Sequence, residues 1–101
     1  FRMIDGGEAD DKIIAVLESD MVYGEWNDVD DIPKPILNRI LHYFLTYKEK
    51  PGATGEKEIE ITHTYGKAEA YEVIKRSQAD YKKHYGDVES KLVEGLKELL
   101  K

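Results

Sequence analysis

Three residues near one end of the chain have side-chain types and a spacing that could do chemistry: Asp5, Asp10 and Lys12. Asp10 and Lys12 are two apart, so in extended chain both side chains leave one face, roughly 7 Å apart. Asp5 lies on the other arm of a glycine-bearing turn, Asp5-Gly6-Gly7-Glu8-Ala9-Asp10-Asp11. Such a turn can fold its carboxylate back towards Asp10. Two carboxylates and an ammonium at one loop mouth suit a hard divalent metal held by oxygen, with a phosphate held by nitrogen. Solvated acidic turns are also common, so residue types alone leave a plain surface turn open. The spacing is not that of an EF-hand, because Gly7 and Ala9 stand where ligands are needed.

A second candidate is Tyr47-Lys48, which closes an amphipathic segment. A hydroxyl and an ammonium side by side can donate to phosphate oxygens. A lysine at a helix C-terminus is equally explained by the helix dipole. His42, His63 and His84 have no partner at metal-ligand spacing, and Ser19, Ser77 and Ser90 lie in no nucleophile elbow. No phosphate-binding G-x-x-x-x-G-K-[ST] loop is present.

The elements that must position these groups follow from periodicity. Phe1 to Ile4 reads as the end of a strand, and Lys12 to Val16 as a returning strand after the acidic loop. Glu18 to Asp31 is irregular, with Tyr23 and Trp26 as anchors. Asp31-Ile32-Pro33-Lys34-Pro35 reads as a capped helix start. Ile36, Leu37, Ile40, Leu41, Phe44 and Leu45 then make one apolar face, and the helix should end near Lys48. Residues 53–56 are expected to form a loop. Glu58 to Tyr65 alternates as a half-buried strand. A second helix is expected from about Lys67 to Tyr85, with Ala70, Val73, Ile74, Ser77 and Tyr81 inward. Gly86 should end it, and Asp87 should cap a third helix carrying Val88, Leu92, Leu96, Leu99 and Leu100. The count is three strands and three helices. Three short strands are a thin platform for three helices, which suggests further strands on the N-terminal side.

Composition bounds the function. The 101 residues suit one domain with a modest core, and 41% are hydrophobic. A net charge of −6 argues against a general nucleic-acid binder, which needs a basic face. The absence of cysteine excludes disulfides, zinc–thiolate sites and cysteine nucleophiles, and agrees with a reducing cytoplasm. The longest apolar run, Ile13 to Leu17, is too short to span a membrane, and no signal-peptide pattern is present. The chain opens on Phe1 rather than Met, so either something was processed away or this is a piece of a longer protein.

Two segments taken together carry a resemblance. Arg2-Met3-Ile4-Asp5-Gly6-Gly7-Glu8-Ala9-Asp10-Asp11-Lys12 resembles the D-x-x-x-x-D-x-K segment of the soluble family I inorganic pyrophosphatases. Asp28-Val29-Asp30-Asp31-Ile32-Pro33, leading into His42-Tyr43-Phe44-Leu45-Thr46-Tyr47-Lys48, resembles the family's later helix ending in Tyr-Lys. Order and separation agree. The resemblance implies an α+β fold: the C-terminal part of an OB-like β-barrel with packed α-helices. It implies Mg²⁺-dependent hydrolysis of diphosphate to two orthophosphates, in a cytoplasmic homo-oligomer, a hexamer in prokaryotic members. Asp5 and Asp10 would hold metal, Lys12, Tyr47 and Lys48 would bind phosphate, and Asp10 and Lys12 would serve catalysis. No nucleic-acid or membrane partner is implied.

The chain also departs from the family pattern. Gly6 stands where many members carry a polar or acidic side chain. The signature D-x-D-P-x-D and the upstream Glu, Lys, Arg and Tyr set are absent from these residues. The expectation is therefore a C-terminal portion, inactive or nearly so alone. Two other readings stay open at this point: a non-catalytic interaction module built on acidic helices, and a simple Ca²⁺-binding domain.

Overall fold

The computed structural model describes residues 1–52 and 58–101. Its organising element is a tight hairpin. β1 (Arg2–Asp5) turns through Gly6-Gly7 into β2 (Glu8–Ala9), pairing Asp5 with Glu8 and Ile4 with Ala9. Gly6 and Gly7 have φ of 59° and 82°. Two successive positive φ angles define the mirror-image turn whose twist matches paired strands, and only glycine adopts them without strain.

The pairing runs on past β2. Asp10 N–H donates to the Met3 carbonyl at 2.9 Å, and Lys12 N–H to the Phe1 carbonyl at 3.1 Å. Opposed residues therefore keep one register, with Arg2 across from Asp11 and Phe1 across from Lys12. The expected strand over Lys12 to Val16 does not form. Ile13 to Val16 run beyond Phe1 and meet no neighbouring strand among the described residues, so their β-branched side chains find no ladder.

β3 (Ile59–His63) pairs antiparallel on the other side of β1, giving a three-stranded sheet of order β2-β1-β3. The expected alternation holds where it decides packing: Ile59 is buried, Glu60 exposed and Ile61 half-buried. The loop expected over residues 53–56 falls outside the described residues.

α1 (Lys34–Thr46) packs on β3, slightly shorter than expected. Asp31 does not cap it. Ile32 precedes Pro33 and is extended, at φ −79° and ψ 120°. That separates Asp31 from the helix, and Asp31 instead closes a capping box with Asp28 around a 3₁₀ turn, Val29–Asp31. Pro33 takes the N-cap position without a side-chain hydrogen bond. Ile40, Leu41, Phe44 and Leu45 pack on the core of Phe1, Met3 and Ile59, whereas Ile36 stays exposed. Tyr23 and Trp26 pack against each other, tilted, with ring centroids 4.6 Å apart, and neither joins this core.

α2 (Lys67–Leu99) is one helix where two were expected. Gly86 does not end it. An interior glycine costs only about 1 kcal/mol, and the lysines, glutamates and leucines further along on both sides favour the helix. The helix start is held by Asp28, whose Oδ1 accepts from Lys67 N–H at 3.0 Å. Gly66 makes room for this, since a Cβ there would lie 3.0 Å from the same oxygen. Two compact units result, Phe1–Ala70 and Tyr71–Lys101. The described fold is α+β with an open antiparallel sheet.

Met3 is fully buried, at 0% exposure, in the centre of the small core. Truncating it should cost about 2–5 kcal/mol, from lost transfer energy and the cavity left behind. Urea unfolding of Met3→Ala should show that loss, and a change below about 0.5 kcal/mol would mean that the core lies elsewhere.

Candidate functional site

Strand alternation sorts the hairpin side chains onto two faces. Phe1, Met3 and Asp5 share one face with Asp10 and Lys12 across the ladder, and α1 packs there. Arg2 and Ile4 share the other with Asp11.

On the first face every candidate residue from the sequence is engaged. Lys48 Nζ donates to Asp5 Oδ2 at 2.5 Å, joining the end of α1 to the end of β1 across 43 positions. Lys12 Nζ donates to Asp10 Oδ1 at 2.9 Å, as their shared face requires. The aromatic ring of Phe44 links the two pairs. Lys12 Nζ lies 5.6 Å from its centroid, Tyr47 meets it edge-on at 5.7 Å, and Phe1 packs on it at 5.5 Å. Lys48 Nζ in turn lies 5.6 Å from the Tyr47 ring centroid. The hydrogen bond to Asp5 holds the Lys48 ammonium above its ordinary pKa.

Asp5 and Asp10 do not touch. Asp10 stands opposite Met3, which makes Asp5 its diagonal neighbour, about 7–8 Å away at Cα. Among the described residues no three carboxylates or imidazoles converge on one point. The donor set is therefore two hard oxygens on one face, with two ammonium groups and a phenol beside them. Mg²⁺ is commonly bound through one or two carboxylates, with water and phosphate oxygens completing its shell. Asp5 and Asp10 could hold such an ion. Lys12, Tyr47 and Lys48 could receive the phosphate oxygens, once an anion competes for the ammonium groups.

The opposite face holds a network that sequence reasoning missed. Asp11 has a side chain only 10% exposed, and its Oδ2 accepts from Arg2 Nη2 at 3.2 Å and from the Tyr65 hydroxyl at 2.8 Å. Arg2 also reaches Glu69 at 3.3 Å and lies over the Tyr65 ring, 5.5 Å from its centroid. The signal was present: a two-residue glycine turn that opposes Asp5 and Glu8 also opposes Arg2 and Asp11. Phe44 was read only as core, although it stands one helical turn before Lys48. His42, His63 and His84 are exposed and belong to no cluster among the described residues.

A family model described as "Inorganic pyrophosphatase" matches residues 1–82. Curated relatives named inorganic pyrophosphatase agree with it. The chain is 52% identical to that of Chlamydia muridarum over 83 residues, which is 79% of this chain and 40% of that protein. It is 52% identical to that of Chlamydia caviae over the same length, 38% of that protein. It is 37% identical to that of Picrophilus torridus over 82 residues, 44% of that protein. The chain thus spans less than half the length of these relatives.

The Asp11 network makes two pH limits. Burial opposes charge on Asp11, but the Tyr65 hydroxyl and the Arg2 guanidinium outweigh it and hold the carboxyl below the ordinary range. That stabilisation is present above the unfolded carboxylate pKa, about 4, and is lost as pH falls through the folded value. Burial, then the bond to Asp11, pushes Tyr65 up to about 12. Its contribution is complete below the unfolded value, about 10, and is lost as pH rises towards 12. A phenolate absorbance titration should show one of the seven tyrosines ionising late, and Asp11→Asn should bring that step down. A titration unchanged by Asp11→Asn would separate the two groups.

Proposed function

This chain belongs to the inorganic pyrophosphatase family, and on that premise we propose that the whole protein hydrolyses inorganic diphosphate to two orthophosphates. The observation that carries the reading is the joining of two distant segments. Asp5 and Asp10 with Lys12 on the hairpin, and Tyr47-Lys48 at the end of α1, share one face through the Asp5–Lys48 pair and the Phe44 ring. These are the carboxylate, ammonium and hydroxyl types that a metal–diphosphate complex needs.

In this proposal Asp5 and Asp10 bind Mg²⁺, which when present neutralises the diphosphate and activates water. Lys12, Tyr47 and Lys48 bind phosphate oxygens, and Asp10 and Lys12 serve the reaction directly. Each lysine exchanges a carboxylate partner for a phosphoryl oxygen when substrate arrives, so the ion pairs seen here hold the cations in position beforehand. Phe44 is a positioning residue, its ring flanking the Lys12 ammonium and the Tyr47 side chain.

The proposal treats the chain as a C-terminal part of one pyrophosphatase domain and of its OB-like barrel. What supports it is that the β-branched run Ile13 to Val16 pairs with no strand among the described residues, and other strands of the whole protein can pair it. The absence of D-x-D-P-x-D from these residues supports the further proposal that they have little activity alone. A cytoplasmic homohexamer completes the reading. No helix among the described residues is long and apolar enough to cross a membrane.

Release of orthophosphate from diphosphate by the whole protein tests this directly: it should require Mg²⁺. Asp10→Asn should raise the Mg²⁺ concentration needed for half-maximal activity and lower kcat by at least about 10-fold, as losing a metal-site carboxylate does. An unaltered Mg²⁺ dependence in that variant would remove Asp10 from the site.

A further inference from the structure

The residues that carry the Asp10 and Lys12 side chains lie past the end of β2 and are tied to β1 only at alternate positions. The Asp10 and Lys12 amides donate to the Met3 and Phe1 carbonyls. Asp11, between them, makes no backbone bond to β1. It stands opposite Arg2 at a non-hydrogen-bonded position of the ladder, where side chains come closest and only they can bridge.

The Asp11 carboxylate makes that bridge, and it does so through one oxygen. Oδ2 accepts from Arg2 Nε at 3.3 Å, from Arg2 Nη2 at 3.2 Å and from the Tyr65 hydroxyl at 2.8 Å. Oδ1 is buried with no partner among the described residues. Tyr65 comes from the other edge of the sheet. It follows β3, on the far side of β1, so its bond to Asp11 spans the full width of the sheet. Its own place is fixed from behind, because Asp28 Oδ1 holds the Lys67 amide two residues on.

We propose that Asp11 and Tyr65 are positioning residues for the candidate site, setting Asp10 and Lys12 from the opposite face of the sheet. The inference rests on the reading of Asp10 and Lys12 as site residues. Its physical basis is alternation: in extended chain, neighbours of a side chain pinned to one face must point to the other. The Asp11 carboxylate is only 10% exposed, so releasing it from its donors leaves a poorly solvated charge. The Lys12–Asp10 pair is 30% and 39% exposed and exchanges far more easily. The firm grip therefore sits behind the site and the exchangeable partners in front. Asp10 and Lys12 can trade each other for metal and phosphate while their backbone stays in place.

The test is Tyr65→Phe in the whole protein, which removes one hydroxyl and keeps the ring beside Arg2. Hydrogen exchange of the Asp10 and Lys12 amides should quicken about 10-fold, the effect of losing one hydrogen bond to a buried carboxylate, with the α1 amides unchanged. The Mg²⁺ concentration for half-maximal diphosphate hydrolysis should rise and kcat/KM should fall, each by about 10-fold. A merely structural loss would reduce the fraction of active molecules and leave the Mg²⁺ dependence where it was. Unchanged exchange at Asp10 and Lys12, exchange quickened equally in α1, or an unmoved Mg²⁺ dependence would each overturn the proposal. Glu69→Gln removes only the partly exposed partner of Arg2 and should alter neither readout. An effect equal to that of Tyr65→Phe would overturn the assignment to Asp11 and Tyr65. Exchange is read without turnover, so the two readings can be told apart. Quickened exchange in Tyr65→Phe beside an unaltered Mg²⁺ dependence in Asp10→Asn would sink the site reading, and this proposal with it.

Discussion

The register of one hairpin governs everything on the site face. Gly6 and Gly7 make a two-residue turn, which leaves no slack in how β1 opposes the chain after it. A slip of one residue would move each side chain to the wrong face of the sheet. With the register as it stands, Phe1 and Met3 enter the core, and Asp5, Asp10 and Lys12 leave from the same side. Asp5 is therefore displayed by the strand whose Met3 fills the core, and Asp10 and Lys12 by the segment opposite it, beside the helix that packs there. Placing such candidate groups on the rigid edge of a core holds them closely without a separate scaffold.

That arrangement puts opposite charges near apolar surface, and the structure resolves this by pairing. Asp5 has Lys48, Asp10 has Lys12, and Asp11 has Arg2. The pairs differ in consequence. Those of Asp5 and Asp10 are partly exposed, so each contributes little to stability, and an incoming cation or anion can replace a partner cheaply. In the third pair the Asp11 carboxylate is only 10% exposed, its partner Arg2 is half-buried, and the Tyr65 hydroxyl strengthens the contact. Removing Arg2 there leaves a poorly solvated carboxylate, a larger penalty. One face thus carries exchangeable ion pairs and the other a structural one. The same hairpin serves both because its side chains alternate.

The fully buried core is small: Phe1, Met3 and Ile59 in the sheet, with Ile32 buried separately. A core of this size relies on its borders, where Phe44 is the largest side chain. Its ring packs against Phe1 on one side and lies beside Lys12 and Tyr47 on others. Core packing and site geometry are consequently coupled through a single residue.

Much of this was legible in the residues alone. The helical spacing from Ile36 to Leu45, the alternation around Ile59 and Ile61, and the shared face of Asp10 and Lys12 are local properties that repeat at fixed periods. The turn at Gly6-Gly7 was legible because few residues tolerate its backbone. Other features had no local signature. Asp31 looked like a helix cap, but the extended residue before Pro33 assigned it to a different turn. Gly86 looked like a stop, but the cost of one interior glycine is too small to break a long helix. Lys12 to Val16 looked like a strand, but a strand needs a neighbour to pair with. The Asp5–Lys48 contact and the Asp11 network needed the tertiary structure, because both depend on which segments a fixed register brings face to face.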